Sequence, residues 1–143
     1  QKGARMFLKA TRELTHHGTL AMLSAAIETA EAIGRPQCIV IVDASGETLG
    51  EIRMTGAKFL SRKSALAKAR TAASNRMASD ALAQKARPYI ELATQLNVTG
   101  LPGGLPIAFE GEVIGGIGVG SGSGEEDLAV ARAALAAIGA DEV

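Results

Sequence analysis

The segment Gly111-Glu112-Val113-Ile114-Gly115-Gly116-Ile117-Gly118-Val119-Gly120 constrains this chain more than any other. Its β-branched residues favour a strand, yet the glycines between them remove the side chains that a strand packs with. Such a strand belongs where another backbone, or a second subunit, packs closely on it. Composition points the same way. The chain is 47% apolar but only 3% aromatic, has no Trp and carries 17 glycines. Its core must therefore be built from Ala, Val, Ile and Leu, with backbone approached through glycine. A length of 143 residues suits one domain with a hydrophobic core that needs no metal or disulfide.

Periodicity divides the chain into eight elements. Thr15 reads as the N-cap of a helix whose apolar residues Leu20, Met22, Leu23, Ala26, Ile27 and Ala30 recur at three and four positions towards Ile33. Gly34 and Pro36 then form a stop signal. The run Ile39 to Val42, the turn residues Asp43-Ala44-Ser45-Gly46 and the run Glu47 to Met54 predict a hairpin. Its first strand is apolar on both sides and should be central; the second alternates and should be half exposed. Ser61 to Met77 predicts a helix with a narrow stripe of Ala65, Leu66, Ala69, Ala72 and Ala73. Another helical stretch follows from Ser79 to Leu96, interrupted by Pro88. The centre of Asn97 to Pro106 holds two prolines and adjacent glycines, which break both ladders. Strands at Ile107 to Phe109 and Val113 to Val119 flank Glu110-Gly111-Glu112, and a last helix runs from Glu125 to Ile138 before Gly139. Two separated hairpins favour an α/β (α+β) domain with an antiparallel sheet and helices packed against it. Residues 1–14 are polar and expected to be loosely held; residues 15–143 form the single domain.

Charge and cysteine usage narrow the function classes. The formal net charge is zero, which removes the simplest argument for a nucleic-acid partner. No apolar run approaches the roughly 20 residues of a membrane span. Gln1 to Thr15 lacks the apolar centre of a secretory signal, so the default expectation is the cytoplasm. Cys38 is a lone thiol inside an apolar run and reads as core. One Cys and two adjacent His cannot close a tetrahedral metal site. The charges are nevertheless segregated. Arg53, Lys58, Arg62, Lys63, Lys68, Arg70, Arg76, Lys85 and Arg87 face only Asp80 within their stretch, and acids dominate after it. These are either solvated helix faces or a basic surface for a carboxylate-bearing ligand.

Five motifs then fall in one order. They are Val42-Asp43-Ala44-Ser45-Gly46 with Met54-Thr55-Gly56-Ala57, Lys68-Ala69-Arg70-Thr71-Ala72-Ala73, Leu101-Pro102-Gly103-Gly104-Leu105-Pro106, Gly111 to Gly120, and Gly124-Glu125-Glu126-Asp127 through Ala131 and Ala134. Between about Leu14 and Ile138 the chain resembles the GlcG/HbpS-like family. That family includes proteins encoded with glycolate utilisation, a haem-binding sensor component and the C-terminal domain of PduO-type adenosyltransferases. The resemblance implies a profilin-like domain with an antiparallel five-stranded sheet flanked by helices. It also implies assembly into homo-oligomers, dimers or larger, and, for some members, haem binding. Thr55 stands where the family often has an acid, and Arg62-Lys63-Ser64 makes the second helix's entrance basic. Both shift a pocket there towards anionic ligands.

Three groups of residues are candidates for the site. The Pro102-Gly103-Gly104 turn offers backbone N–H groups to an anionic oxygen without a Cβ in the way. Ser64, Lys68 and Thr71, at helical spacing, present one cation and two hydroxyls that would hold a carboxylate or its enolate. His16 and His17, at a helix N-terminus that disfavours imidazolium, are the candidate haem ligands, against the plainer reading of exposed surface histidines. Glu125 is either a general base at a pocket edge or, with Glu126 and Asp127, an acid complementing the helix dipole. The late glycines match no Gly-x-Gly-x-x-Gly register, and three acids would repel a pyrophosphate at that helix. Three readings of function follow. The leading one is an oligomeric domain that binds a small anionic organic molecule, haem or a catabolic carboxylate. A second is an isomerase, dehydratase or hydrolase of a small carboxylate, with Lys68 and Arg70 orienting the substrate. The third is an accessory or structural subunit without a pocket of its own.

Overall fold

A computed structural model describes residues 3–143. The elements are α1 (His16–Ile33), β1 (Cys38–Asp43), β2 (Thr48–Arg53), α2 (Ser61–Asn75), α3 (Arg87–Ala93), β3 (Gly104–Phe109), β4 (Glu112–Gly120) and α4 (Gly124–Ala137), with 3-10 turns at Gly3–Met6 and Ser79–Ala81. Among the described residues no helix is long and apolar enough to cross a membrane. Element order follows the hydrophobic periodicity. Thr15 caps α1, its hydroxyl accepting from the Gly18 N–H, and Gly34 closes the helix in the left-handed region at φ 78°.

Among the described residues the sheet has four antiparallel strands in the order β2-β1-β4-β3, and the expected fifth strand is not found. The chain ahead of β3 is spent on the irregular Asn97–Gly103 connection, whose Pro102 has no N–H to give a ladder and whose Gly103 sits at φ 123°. β1 lies inside the sheet, as its two-sided apolar run requires. β2 is an edge strand and more exposed than half-exposed: all but Gly50 of its residues face solvent substantially. The other edge, β3, tolerates Pro106 because an edge strand can leave one N–H side unpaired. Pro88 does not interrupt a longer helix. It sits in the first turn of the short α3, where a missing N–H costs nothing, and the preceding stretch is a 3-10 turn and loop.

Alternation sends the two faces of the sheet to different partners. Ile39 and Ile41 of β1, Leu105 and Ile107 of β3, and Ile117 and Val119 of β4 pack against α1 (Met22, Ala26, Ala30) and α4 (Val130, Ala131, Ala134, Leu135). Cys38, Val40 and Val42 face Ala65, Ala69 and Ala73 of α2. The protein is thus three layers, α1 and α4, then the sheet, then α2 alone.

The contact of α2 with β4 explains the glycines. A Cβ on Gly118 would run into the carbonyl of Ala65, one on Gly116 into the carbonyl of Ala69, and one on Gly104 of β3 into the carbonyl of Lys68. At Gly120 it would meet Ser61. Four residues of helix rise about 6 Å, and two residues of strand advance about 6.6 Å. Ser61, Ala65 and Ala69 therefore fall in step with Gly120, Gly118 and Gly116, so α2 lies lengthwise on β4 and antiparallel to it. Backbone rests on backbone.

At the far end, Glu110 (φ 51°) and Gly111 (φ 79°) make the tight β3–β4 turn. Both of their N–H groups are held by the Asp141 carboxylate, at 3.1 and 2.8 Å. Arg12 reaches the same turn, donating to the Phe109 carbonyl at 3.1 Å. Replacing Gly118 by Ala is expected to cost about 1–3 kcal/mol or more, the penalty of overpacking a close-packed interior. Urea unfolding of Gly118→Ala measures it; a stability within 0.5 kcal/mol of wild type, roughly the noise of a surface change, would show that the two backbones are not in contact.

Candidate functional site

One buried ion pair stands out at the end of the sheet where α2 begins. Lys68 Nζ lies 3.1 Å from Asp127 Oδ2 and donates to the Val119 carbonyl at 2.8 Å. The two side chains are only 7% and 3% exposed. Asp127 belongs to the first turn of α4, whose N-cap Ser123 and Glu126 form a reciprocal capping box. Its second oxygen, Oδ1, accepts the Gly122 N–H at 3.0 Å. The close approach of α2 to the sheet is what brings Lys68 within reach of a helix on the opposite layer.

The pair floors a cleft of about 270 Å³ whose walls carry Lys58, Ser61, Ser64, Pro102 and Ser121. A neighbouring cleft of about 480 Å³ shares Leu60 and Ser64 with it and runs along α2 past Lys63 and Leu66 to Leu96 and Asn97. Together they form a groove with mixed apolar and polar walls, lysines at its rim and one acid in the larger cleft, Glu91, whose carboxylate accepts the Gly100 N–H at 3.3 Å. Ser121 holds φ 86° although it is not glycine, and its hydroxyl accepts the Lys58 N–H at 3.0 Å. Burial pushes the Asp127 carboxyl above the usual aspartate range, outweighing the attraction of Lys68 and its hydrogen bond. Burial likewise pushes up the Cys38 thiol, which sits behind the cleft and donates to the Lys58 carbonyl.

The candidates read from sequence divide between several places. Ser64, Lys68 and Pro102 line the smaller cleft together. Gly103 and Gly104 are buried just behind it. The Gly104 N–H donates to Ser79 Oγ at 2.9 Å, and the Gly103 carbonyl accepts the Val119 N–H at 2.9 Å. Thr71 is turned inward: its hydroxyl donates to the Ala67 carbonyl and accepts the Thr99 N–H. Arg70 lines a third cleft towards the other end of α2, which shares Asn97 and Val98 with the larger one, and it is bonded to the Gly46 carbonyl at 2.9 Å and Asn97 Oδ1 at 2.7 Å. Glu125 is exposed on α4. His16 and His17 are exposed at the start of α1, their rings 4.2 Å apart. The neighbouring Arg12 touches the β3–β4 turn, whereas Arg35 beyond the other end of α1 pairs with Glu126. The histidines are therefore at the opposite end of the sheet from Asp127.

Sequence reasoning missed Asp127 as the partner of Lys68, and missed Ser79, Ser61 and Ser121; Lys58 entered it only as one of the basic stretch. Asp127 was hidden among three consecutive acids, whose shared position in a first helical turn is sufficient reason for acids. Helical phase carried a usable signal, because Asp127 shares a face with the buried Val130, Ala131 and Ala134 whereas Glu125 does not. Ser79 is fully buried, and its hydroxyl joins the Leu101 carbonyl and the Gly104 N–H, fixing the Pro102–Gly103 turn. Among the described residues no three His, Cys, Asp or Glu side chains converge to hold a metal ion.

This architecture defines a class, an antiparallel sheet between helical layers with a polar cleft at one end of the single-helix face. A family model described as haem degrading protein HbpS-like matches residues 14–136. The chain is 33% identical over 130 residues to the corrinoid adenosyltransferase PduO of Salmonella typhimurium, covering 87% of this chain and 39% of that one. It thus spans less than half the length of that relative. The crystal structure of a PduOC:heme complex superposes with a TM-score of 0.85 at 32% identity, covering 92% of this chain and 99% of that chain. The crystal structure of HbpS superposes at 0.80 and 35% identity, over 90% and 92% of the two chains. The chain belongs to the HbpS-like family.

The raised Asp127 carboxyl has a consequence for stability. An acid whose folded-state pKa is raised favours folding fully below its unfolded pKa, and that contribution is lost as pH rises through the folded value. The unfolding free energy of Asp127→Asn minus that of wild type should therefore rise with pH just above the ordinary aspartate range. Chemical denaturation at a series of pH values checks this; a falling difference would mean that Lys68 dominates over burial. Lys68→Met strands a buried carboxylate and should cost about 3–5 kcal/mol, much of it regained in Lys68→Met/Asp127→Leu.

Proposed function

We propose that this chain is an oligomeric domain that binds an anionic organic molecule in the groove along the first half of α2. The observation that carries the reading is the convergence of Lys58, Lys63 and the hydroxyls of Ser61, Ser64 and Ser121 on two joined clefts whose walls are Leu60, Leu66, Leu96 and Leu101. Apolar walls with a few polar anchors are the ordinary make-up of a ligand site. Lys58 and Lys63 are exposed and supply charge at the rim, while Lys68 lies buried beneath it, paired with Asp127.

Haem is the finer form of this reading. The family description and the heme complex of the PduOC relative support it. In this chain, the two propionates of haem suit Lys58 and Lys63, and its ring faces suit the leucine walls. No imidazole lines either cleft; the histidines that would supply an iron ligand, His16 and His17, stand at the other end of the sheet. A single copy therefore separates donor from groove, and a second copy would be needed to unite them. The surface supports such assembly. None of α3 is buried, and Phe59, Leu60, Tyr89, Leu92 and Leu96 are each at least 69% exposed around the groove. Apolar residues gathered in this way mark an interface.

Titration with haemin, followed by Soret absorbance and by sedimentation velocity on the same samples, tests both parts. Wild type should give a saturable, stoichiometric Soret shift in an oligomer. His16→Ala/His17→Ala should lose the shift without unfolding, and Leu96→Glu should dissociate the assembly. A shift surviving in the double variant moves the iron ligand elsewhere. No shift in wild type discards haem and leaves a smaller carboxylate as the occupant of the groove.

A further inference from the structure

The cleft floored by Lys68 and Asp127 carries features that packing alone does not account for. A buried ion pair is weak evidence for stability, since apolar replacements of similar volume usually serve as well or better. This one opens onto a cleft. Gln37 lies beside it, fully buried, and neither its amide nitrogen nor its amide oxygen has a hydrogen-bond partner. A Cβ on Gly122 would stand 2.5 Å from Gln37 Nε2 and 2.8 Å from Asp127 Oδ1, so amide and carboxylate flank the same bare glycine. Ser121, one residue earlier, holds a left-handed backbone at φ 86°. An unpaired buried amide and a left-handed non-glycine backbone thus meet at Gly122, beside the carboxylate of Asp127.

We propose that Asp127 and Lys68 form an acid–base centre that exchanges the proton on the carbon beside the carbonyl of a small oxo-carboxylate bound in this cleft. The proposal rests on the reading of the groove as an anion-binding site and adds chemistry to its inner end. Lys58 and the hydroxyls of Ser61, Ser64 and Ser121 hold the ligand's carboxylate. Asp127 takes the proton: the C–H bond breaks, its electron pair becomes the carbon–carbon double bond, and the carbonyl π pair moves to oxygen. The enolate oxygen faces the Lys68 ammonium, whose charge and fixed position stabilise it. The Asp127 carboxyl trades that proton for one from solvent in the cleft that it lines, and delivery of the new proton to the same carbon restores the ketone with a solvent-derived hydrogen, with no oxidant or co-reactant needed. A volume of about 270 Å³ suits a ligand of a few carbon atoms and falls below the roughly 300–1,000 Å³ of sites for larger molecules. A carboxyl held above its ordinary range is a better base near neutral pH.

The experiment is deuterium incorporation into pyruvate and 2-oxobutyrate in D₂O, followed by the loss of their C3 proton signals, with saturation-transfer difference spectra recording binding in the same tubes. Wild type should speed incorporation about 10²–10⁴-fold over the protein-free rate, the usual yield of a positioned acid or base. Asp127→Asn should abolish the acceleration while the saturation-transfer signal persists. Where that variant does not fold, Asp127→Glu, which keeps the charge but displaces it, should slow exchange at least about tenfold by misplacing the base. Binding by wild type without faster exchange overturns the acid–base centre and leaves the binding reading intact. Exchange that continues unchanged in a folded Asp127 variant overturns it too, by placing the chemistry elsewhere. Absence of any saturation transfer to the oxo acids removes the small-carboxylate reading of this cleft, and the proposal with it.

Discussion

Everything in this fold follows from letting a helix backbone touch a sheet backbone. Stacked sheets normally stand about 10 Å apart because side chains fill the gap, and a helix on a sheet is held off in the same way. Here Gly104, Gly116, Gly118 and Gly120 offer no side chains, and Ser61, Ala65 and Ala69 offer almost none. The layer is thin, so a single helix can cover the face with a core cluster of alanines, valines and one cysteine. The opposite face keeps its isoleucines and leucines and needs two helices, α1 and α4, to bury them. The scarcity of aromatic residues is the compositional trace of this choice. A ring would have no room between α2 and β4.

The same contact positions the polar site. With α2 pressed to the sheet, the Lys68 carbonyl rests on Gly104 while its side chain passes the end of β4 to the Val119 carbonyl and to Asp127. Gly103 is required there: a Cβ would stand 2.7 Å from the Val119 carbonyl oxygen. The Pro102–Gly103–Gly104 turn therefore serves chiefly to let the chain pass between α2 and α4, held from outside by Ser79 and from the side by Thr71 through Thr99. Two of the cations that sequence gathers between Arg53 and Arg87 are spent as clamps. Arg70 ties α2 to the β1–β2 turn, and Arg87 bonds the Leu82 and Asp80 carbonyls to fold the segment before α3. Lys58 and Lys63 remain at the groove.

Local chemistry was legible because it is local. The N-cap at Thr15, the stop at Gly34, the two hairpins and the last helix each rest on residues within a few positions of one another. So was the demand for a backbone neighbour along β4, since glycine among β-branched residues has few other uses. The five-stranded sheet came from family likeness alone; only four strand-forming runs are present, and four strands form. Pro88 misled because a proline that breaks a helix and one that starts it look the same until the helix boundary is known.

The sequence by itself determined the two hairpins, the helices α1, α2 and α4, their order, the family and the need for close backbone packing, because each is set by side-chain type and spacing along the chain. Only the tertiary structure decided which helix meets the glycines, which acid meets Lys68, and that Arg70 and Thr71 turn away from the cleft that Ser64 and Lys68 share. Residues 68 and 127 are paired across a distance that no periodicity spans, and helix phase must be right to within one residue before it says which way a side chain points. At about 100° per residue, Lys68 and Arg70 sit on different sides of one helix, and that angle separates a site residue from a clamp.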